Sequence, residues 1–268
     1  MRPFTRVIFP DSHGEHIDRK ARDAAIRDTK RLDPLEVVLL GDHLDCGGTF
    51  STHQRSYTNE MAESYHSDVR AANRFLDMIQ KAAPRARGIH YLEGNHEAHV
   101  ERWASRTFSN QKDAVALLGA FGPEKVLGLK RRGIKYYKRS DQYMGISIQG
   151  TIRLGKCFYT HGISHSKHAT ATHLARFGAS VVHGHTHRAQ SSVERTVTAY
   201  GIGAWCPGTL AKLQPLYKHT QPSDWSHGYA VQFVNSSGNF LHVNVPILDG
   251  VSMLADALRL LDTARAAT

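Results

Sequence analysis

Five short polar segments of this chain carry side chains that can bind metals or move protons. They are Asp11-Ser12-His13, Gly41-Asp42-His43-Leu44-Asp45, Gly94-Asn95-His96-Glu97, Thr160-His161-Gly162 and Gly184-His185-Thr186-His187. Together they offer carboxylates, imidazoles and an amide. Such a mixed oxygen and nitrogen set suits Mn²⁺, Fe or Zn²⁺ better than Ca²⁺, which prefers oxygen ligands alone. The residue types therefore predict a transition-metal site.

Each segment directly follows a short apolar run that is typical of a buried β-strand. The runs are Thr5–Pro10, Glu36–Leu40, Gly88–Leu92, Cys157–Tyr159 and Val181–Val182. In open α/β sheets, ligands bind in the crevice outside the carboxyl ends of the strands. We therefore expect the five segments to meet in space, although they lie far apart in the sequence. Glycines at 41, 94, 162 and 184 allow tight turns and a close approach of the backbone to the metals.

Helical and strand periodicities between these segments predict the elements that position them. Helical patterns at His16–Leu32 and Asn59–Ala83 separate the first three runs, which indicates βαβ units and a largely parallel sheet. The second half predicts further strands and two helices, at Tyr143–Leu154, Lys156–Tyr159, Ser166–Phe177, Tyr229–Asn235, Phe240–Val245 and Ser252–Ala267. The pattern favours an α/β fold in which two sheets are covered by helices, an α/β/β/α sandwich with the metals at the carboxyl ends of the strands.

Length and composition favour one soluble domain. The chain has 268 residues, 41% of them hydrophobic, so residues 1–268 can form a single domain with a sizeable core. Cys46, Cys157 and Cys206 are widely scattered and form neither a disulfide framework nor a zinc ribbon pattern. No apolar run approaches the ~18 residues of a membrane helix. We expect a cytoplasmic protein that has no membrane contact and needs no obligate protein partner.

In their order along the chain, the five segments resemble the motifs of the calcineurin-like metallophosphoesterases, D-x-H, G-D-x-x-D, G-N-H-[DE], H-G and G-H-x-H. The resemblance spans Asp11 to His187 and implies two divalent metal ions, with Mn²⁺ favoured over Fe or Zn²⁺. It implies one metal held by Asp11, His13 and His187. It implies a second metal held by Asn95, His161 and His185. Asp42 would bridge the two metals, and His96 would face the leaving group with Asp45 as its orienting partner.

The chemistry of the side chains agrees with these implied roles. A bridging ligand has to be a carboxylate, because a neutral imidazole has only one free lone pair. His96 suits a general acid, since an alkoxide leaves poorly unless it is protonated. Asp45 could hold that imidazole in its charged form. A metal pair of this kind hydrolyses phosphate esters with an activated water.

Two departures from the family pattern bear on the substrate. Serine/threonine phosphatases of the family carry arginine where this chain has Cys46 and Glu93. Arginine grips the terminal dianion of a phosphomonoester, so a protein phosphatase is disfavoured unless Arg55, Arg102 or Arg106 substitutes.

Basic residues suggest a polyanionic substrate. The net charge is +10, and seven lysines and arginines lie between Lys125 and Arg139, together with Tyr136 and Tyr137. Such a cluster suits a groove for single-stranded nucleic acid, with Lys130, Arg131 and Arg132 as substrate contacts. The alternative is a solvated rim whose tyrosines pack underneath.

Three functions therefore remain open. The first is a DNA or RNA nuclease, which the charge favours. The second is a small-molecule or cyclic-nucleotide phosphodiesterase, or a phosphomonoesterase, which the short chain after His187 favours. The third is a non-catalytic scaffold on a phosphoesterase fold, which the complete set of ligand positions disfavours.

Overall fold

A seven-stranded sheet carries the first three polar segments. In a computed structural model of the protein, the described residues are 2–47, 50, 64–138, 142–143, 146–148, 150–195, 197, 201–215 and 222–257. The sheet has the order β14-β13-β12-β1-β2-β3-β4. Its strands are β1 (Phe4–Phe9), β2 (Glu36–Leu39), β3 (Gly88–Leu92), β4 (Lys135–Tyr137), β12 (Gly228–Val234), β13 (Phe240–Leu248) and β14 (Val251–Ser252). Strands β1 to β4 are parallel, which confirms the predicted βαβ organisation of the first half.

A five-stranded sheet carries the other two polar segments. Its order is β10-β11-β9-β8-β7. The strands are β7 (Thr151–Leu154), β8 (Cys157–Thr160), β9 (Ser180–His183), β10 (Ala189–Glu194) and β11 (Ile202–Pro207). Strands β8 and β9 are parallel, so the segments that follow them leave the same edge. Two short strands, β5 (Gln142–Tyr143) and β6 (Ile146–Ser147), form a separate pair.

Helices cover the outer faces of both sheets. The larger sheet packs against α1 (Arg19–Leu32) and α2 (Tyr65–Ala82) through a core that includes Phe9, Phe75 and Ile79. A second core lies between the sheets and consists of Ile8, Val38, Leu40, Leu92, Ile152, Cys157, Tyr159, Val182 and Ala230. The outer face of the smaller sheet packs against α6 (Ala169–Phe177). The predicted α/β/β/α sandwich is therefore confirmed.

Capping side chains set where the crossover helices begin. Asp18 accepts a hydrogen bond from the Ala21 N–H at 2.8 Å, so α1 begins at Arg19 rather than at the predicted His16. Ser64 caps α2 in the same way through the Ser67 N–H. Residues 59–63 of the predicted second helix lie outside the described residues.

Between β3 and β4 the chain forms three helices that the sequence patterns did not predict. They are α3 (His99–Thr107), α4 (Gln111–Phe121) and α5 (Pro123–Val126). Helix α4 has no buried residue, and its apolar side chains do not form one amphipathic face that a sequence pattern would reveal. At the carboxyl end, residues 253–257 are helical, and 258–267 of the predicted closing helix lie outside the described residues.

Within the described ranges, no helix is long and apolar enough to cross a membrane. That residues 1–268 form one domain stays a prediction.

Candidate metal centre

The structure brings the predicted ligands of the first metal together at the carboxyl ends of β1 and β9. Asp11 Oδ2 lies 3.0 Å from His187 Nε2, and His13 Nε2 lies 3.1 Å from the same nitrogen. All three side chains are buried. Their facing atoms can share one ion, because each offers a lone pair to the same small volume.

The predicted ligands of the second metal converge beside the first group. His161 Nε2 lies 2.9 Å from Asn95 Oδ1 and 3.2 Å from Asp42 Oδ2. The side chain of His185 completes this group with Asp42 and His161. The two groups together contain every ligand that the motifs predicted.

Asp42 lies between the two groups. Its Oδ2 is 3.2 Å from His161 Nε2 and 4.0 Å from His13 Nε2, so one carboxylate oxygen faces both groups. The Oδ1 atom accepts a hydrogen bond of 2.8 Å from the backbone N–H of His96, which fixes the orientation of the carboxylate. This is the position that a bridging ligand requires.

The hydrogen bonds of the histidines show that the donor set fits cations. His161 donates its Nδ1 hydrogen to the Leu40 carbonyl at 2.9 Å, and His13 donates its Nδ1 hydrogen to Asp45 Oδ1 at 2.7 Å. Whenever these rings are neutral, as metal ligands must be, Nε2 therefore carries a lone pair that points at other acceptors. Buried acceptors that face one another need a positive charge between them. Two divalent cations meet that need.

The close contacts between carboxylates and imidazoles shift the pKa values of these side chains. Burial raises the pKa of Asp42, but His161 and His96 outweigh burial and hold it well below its usual range. Burial likewise opposes the lowered pKa of Asp11, which His187 causes. Burial lowers the pKa of His161, yet Asp42 outweighs that effect and raises the pKa to about 9. The site thus keeps its carboxylates ionised and attracts positive charge.

Several ligands sit on unusual backbone. His13, Asp42, His185 and His187 have φ values of 48°, 51°, 69° and 59°. Left-handed backbone costs a non-glycine residue about 1 kcal/mol or more, so its concentration here indicates a functional constraint. Two glycines make the turns fit. A Cβ on Gly94 would lie 2.0 Å from Asp42 Oδ1, and one on Gly184 would lie 2.4 Å from Asp11 Oδ1.

His96 lies against the first ligand group, where Asp45 holds it. Its Nδ1 donates to the Asp45 carbonyl at 2.9 Å and lies 3.2 Å from Asp45 Oδ1. Its Nε2 is 4.0 Å from Asp42 Oδ2 and so faces the ligands. Burial lowers the pKa of His96, but Asp42 and Asp45 outweigh it and raise the pKa to about 10. With Nδ1 held by Asp45, a proton on Nε2 would face the ligand groups.

Asp45 has a second contact that the motifs did not predict. The oxygen that lies near His96 also accepts the hydrogen bond from His13 Nδ1. A carboxylate behind a ligating histidine fixes its tautomer and its ring orientation. Asp45 thus positions a predicted ligand as well as the predicted acid.

Glu97 is a buried residue for which the sequence assigned no function. Its Oε1 accepts hydrogen bonds from the N–H groups of His43 and Leu44 and from the Tyr91 hydroxyl, at 2.8, 3.0 and 2.7 Å. Its Oε2 accepts from the N–H groups of Asp42 and Gly94, at 2.8 and 2.9 Å. Glu97 therefore ties the loops after β2 and β3 to each other. Its place in the G-N-H-E segment was the available signal.

We expect Glu97→Gln to destabilise the fold strongly. An amide nitrogen would face backbone N–H groups, and each one left without an acceptor costs about 1–3 kcal/mol. Because Oε2 serves two such groups, the expected loss is roughly 2–6 kcal/mol in the urea unfolding of metal-free protein. Glu101→Gln, on the exposed surface of α3, is the matched control. If the free energy of unfolding of the Glu97→Gln protein lies within about 0.5 kcal/mol of wild type, the Glu97 carboxylate does not stabilise the fold.

The structure places the departures from the family pattern inside the protein. Cys46 is fully buried, and Glu93 accepts a hydrogen bond of 2.9 Å from the Tyr136 hydroxyl. Of the possible substitute arginines, Arg102 donates to the Asn95 carbonyl and Arg106 is exposed. Arg55 lies outside the described residues. Arg102 is thus the substitute arginine that contacts a predicted ligand residue.

Two of the remaining histidines pack beneath the smaller sheet. His173 is fully buried, accepts a hydrogen bond of 2.9 Å from the Ile163 N–H, and stacks on His183 at 3.8 Å. His183 is fully buried as well.

Three residues of the basic cluster lie at the other end of the larger sheet from the metal ligands. Strand β4 is parallel to β3, and Lys130, Arg131 and Arg132 precede β4, whereas the metal ligands follow β3. The Arg132 guanidinium is held by Asp77, Gln80 and Asn73. Tyr136 packs inward, as in the solvated-rim alternative, and Arg139 lies outside the described residues. Substrate contact by these three residues gains no support from their position.

Comparison with known proteins gives weak likenesses. No protein-family profile matches this chain, and no curated protein sequence matches it. Similar solved structures include Vacuolar Protein Sorting 29 from Cryptosporidium parvum, with a TM-score of 0.47, 12% identity, and coverage of 94% of this chain and 95% of that one. Another is YfcE, a phosphoesterase from E. coli, with a TM-score of 0.35, 16% identity, and coverage of 90% and 98%. At these TM-scores the likenesses carry no weight for function, which rests on the site itself.

Proposed function

We propose that this protein is a metal-dependent phosphoric ester hydrolase that acts on phosphodiesters. The observation that carries the proposal is the pair of ligand groups that share Asp42 Oδ2, with His96 beside them. A purely structural role does not require buried carboxylates and imidazoles to face one another across a shared oxygen.

The residues divide the work as follows. When bound, two divalent cations lower the pKa of a water molecule and stabilise charge on the phosphoryl oxygens. Asp42 would contact both ions, Asp11 would bind the ion of the first group, and Asn95 would bind the ion of the second group. His96 donates a proton from Nε2 to the oxygen of the departing alcohol, and Asp45 keeps its ring in place.

Phosphodiesters are supported by Cys46 and Glu93, which stand where an arginine would grip a monoester dianion. Arg102 favours a second candidate, a phosphomonoesterase, because it contacts the backbone of Asn95. Activity of the Mn²⁺-loaded protein on bis-aryl and mono-aryl phosphates separates the two. Faster turnover of the diester is expected, and faster turnover of the monoester would replace the proposal with the second candidate. Turnover of neither ester would favour the scaffold function.

The finer proposal is that the diester belongs to DNA or RNA, which the net charge of +10 supports. We expect single-stranded DNA to bind with an affinity that falls as salt rises, by a log–log slope of about −0.7 for each phosphate contact. Because Lys130 and Arg131 lie at the opposite end of the sheet, replacing both by alanine should leave this slope unchanged.

A titration series at several salt concentrations, with wild type and the double variant side by side, measures this. A slope flattened by about 1.4 would mean that the strand does contact the two residues. No binding at low salt would remove the nucleic-acid proposal and leave a small-molecule phosphodiester.

A further inference from the structure

A cleft of about 790 Å³ opens beside the second ligand group. Asn95 and His185, two predicted ligands of that group, form part of its wall. A substrate phosphate bound between the two ligand groups would therefore have direct access to the cleft. The cleft is large enough for a nucleotide-sized group, since small-molecule sites are typically about 300–1,000 Å³.

The charged side chains of the cleft are all basic. Arg102 and Arg176 line it from α3 and α6, and His165 lies on the same wall. None of the described residues that line the cleft is acidic. Arg102 is anchored, because it donates to the Asn95 carbonyl, whereas Arg176 is exposed near the end of α6. Two guanidinium groups in a wall without acids favour an anionic ligand.

An apolar surface accompanies these charges. Ile163 is 45% exposed, and the partly buried ring of Phe177 lies next to Arg176 in the same wall. A site that combines apolar and aromatic surface with a few convergent polar groups suits an organic ligand rather than an inorganic ion. The ligand should therefore carry both a flat or apolar part and a negative charge.

The cleft is separate from the position of the proposed acid. His96 does not line it and instead packs against His13, with ring centroids 4.6 Å apart. The leaving alcohol must lie by His96, since it takes its proton there. The cleft thus lies on the side of the substituent that stays on the phosphorus after cleavage. A phosphomonoester has no such substituent.

We propose that this cleft binds the retained substituent of a phosphodiester, and that this substituent is a nucleoside carrying a second phosphate. Arg176 binds the second phosphate, while Ile163 and Phe177 contact the nucleoside. This subsite rests on the proposed hydrolysis of phosphodiesters and names its substrate class.

The test uses esters whose leaving group is nitrophenolate, so that the retained group alone varies. Thymidine 5′-(nitrophenyl phosphate) is compared with the same ester bearing a 3′-phosphate. Thymidine 3′-(nitrophenyl phosphate) is likewise compared with the same ester bearing a 5′-phosphate. We expect Arg176→Ala to lower kcat/KM about ten- to a hundredfold for an ester with the second phosphate, the effect of losing one charge-assisted bond. The ester without it should be nearly unaffected. Arg176→Lys should retain part of the preference.

Arg74→Ala is the matched control, because Arg74 is an exposed arginine on α2, away from the cleft. It should leave the preference for the second phosphate intact. Equal losses of kcat/KM on both types of ester in the Arg176→Ala protein would overturn the subsite. So would a loss of the preference in the Arg74→Ala protein as large as that in the Arg176→Ala protein.

Binding separates this subsite from catalysis. Calorimetric titration of the Mn²⁺-loaded protein with thymidine 3′,5′-bisphosphate should show tighter binding than with either monophosphate, and Arg176→Ala should abolish the difference. If the difference is present but no ester is hydrolysed, the subsite stands and the proposed hydrolysis fails. If esters are hydrolysed but the bisphosphate and the two monophosphates bind equally, the hydrolysis stands and the subsite fails.

Discussion

Replacing Asp42 by asparagine is expected to abolish hydrolysis and to remove at least one metal ion from the protein. The substitution keeps the shape of the side chain but removes the charge that Oδ2 presents to both ligand groups. Substitutions behind metal ligands already cost about 10–100-fold in affinity or activity, so loss of the shared carboxylate should exceed 100-fold. Metal content after dialysis against Mn²⁺, together with turnover of a bis-aryl phosphate, measures both effects.

The control for this experiment is the folded state. Far-UV circular dichroism and cooperative unfolding should match wild type, because asparagine can still accept the hydrogen bond from the His96 N–H. An Asp42→Asn protein that is folded, holds two ions and turns over at a near-normal rate would show that Asp42 is not the shared ligand.

His96→Ala is expected to slow hydrolysis in a way that depends on the leaving group. Proton donation contributes about 10²–10⁴-fold when the leaving group is a basic alkoxide. A nitrophenolate leaves without a proton, so aryl esters should lose far less. The comparison needs kcat for an alkyl and a nitrophenyl ester of the same phosphate, each with wild type and variant.

His99→Ala is a useful companion variant, because the His99 ring stacks on the His96 ring at 4.8 Å without holding its Nδ1. Loss of the His99 ring should slow the hydrolysis of both esters by the same factor. If His96→Ala also slows both esters equally, His96 positions the site and does not donate the proton.

The positions of the ligands could be predicted because the chemistry lies in short segments directly after apolar strands. Parallel strands β1, β2 and β3, together with β8 and β9 of the second sheet, bring these segments to one edge. The order of the segments and the alternation of strands and helices are both visible in the sequence. That is why the fold and the meeting of the ligands could be predicted from the sequence alone.

The backbone conformation and hydrogen bonds that support the ligands could not be predicted from the sequence. The left-handed backbone at Asp42 and His187 depends on tertiary contacts, because neither residue type requires it. Glu97 reads as one more acidic residue until the five hydrogen-bond donors around it are placed. Such partners come from loops that are distant in the sequence, and local patterns carry no information about them.

For the basic cluster, the local sequence pattern suggested a function that the structure does not support. Lys130 and Arg132 lie near Tyr136 in the sequence, which suggested a binding groove. The structure instead turns the tyrosine inward to Glu93 and ties Arg132 to α2. Composition alone does not show which end of a strand a residue occupies. The cleft residues Arg102 and Arg176, which are far apart in the sequence, meet only in the fold.

The most direct test of the shared metal centre is the electron paramagnetic resonance spectrum of the protein loaded with two equivalents of Mn²⁺. Because Asp42 Oδ2 faces both ligand groups, the two ions should lie ~3.5–4 Å apart and be coupled through the carboxylate. We predict the spectrum of a spin-coupled Mn²⁺ pair in wild type and its loss in Asp42→Asn. A wild-type spectrum of isolated, uncoupled Mn²⁺ ions would contradict the binuclear site.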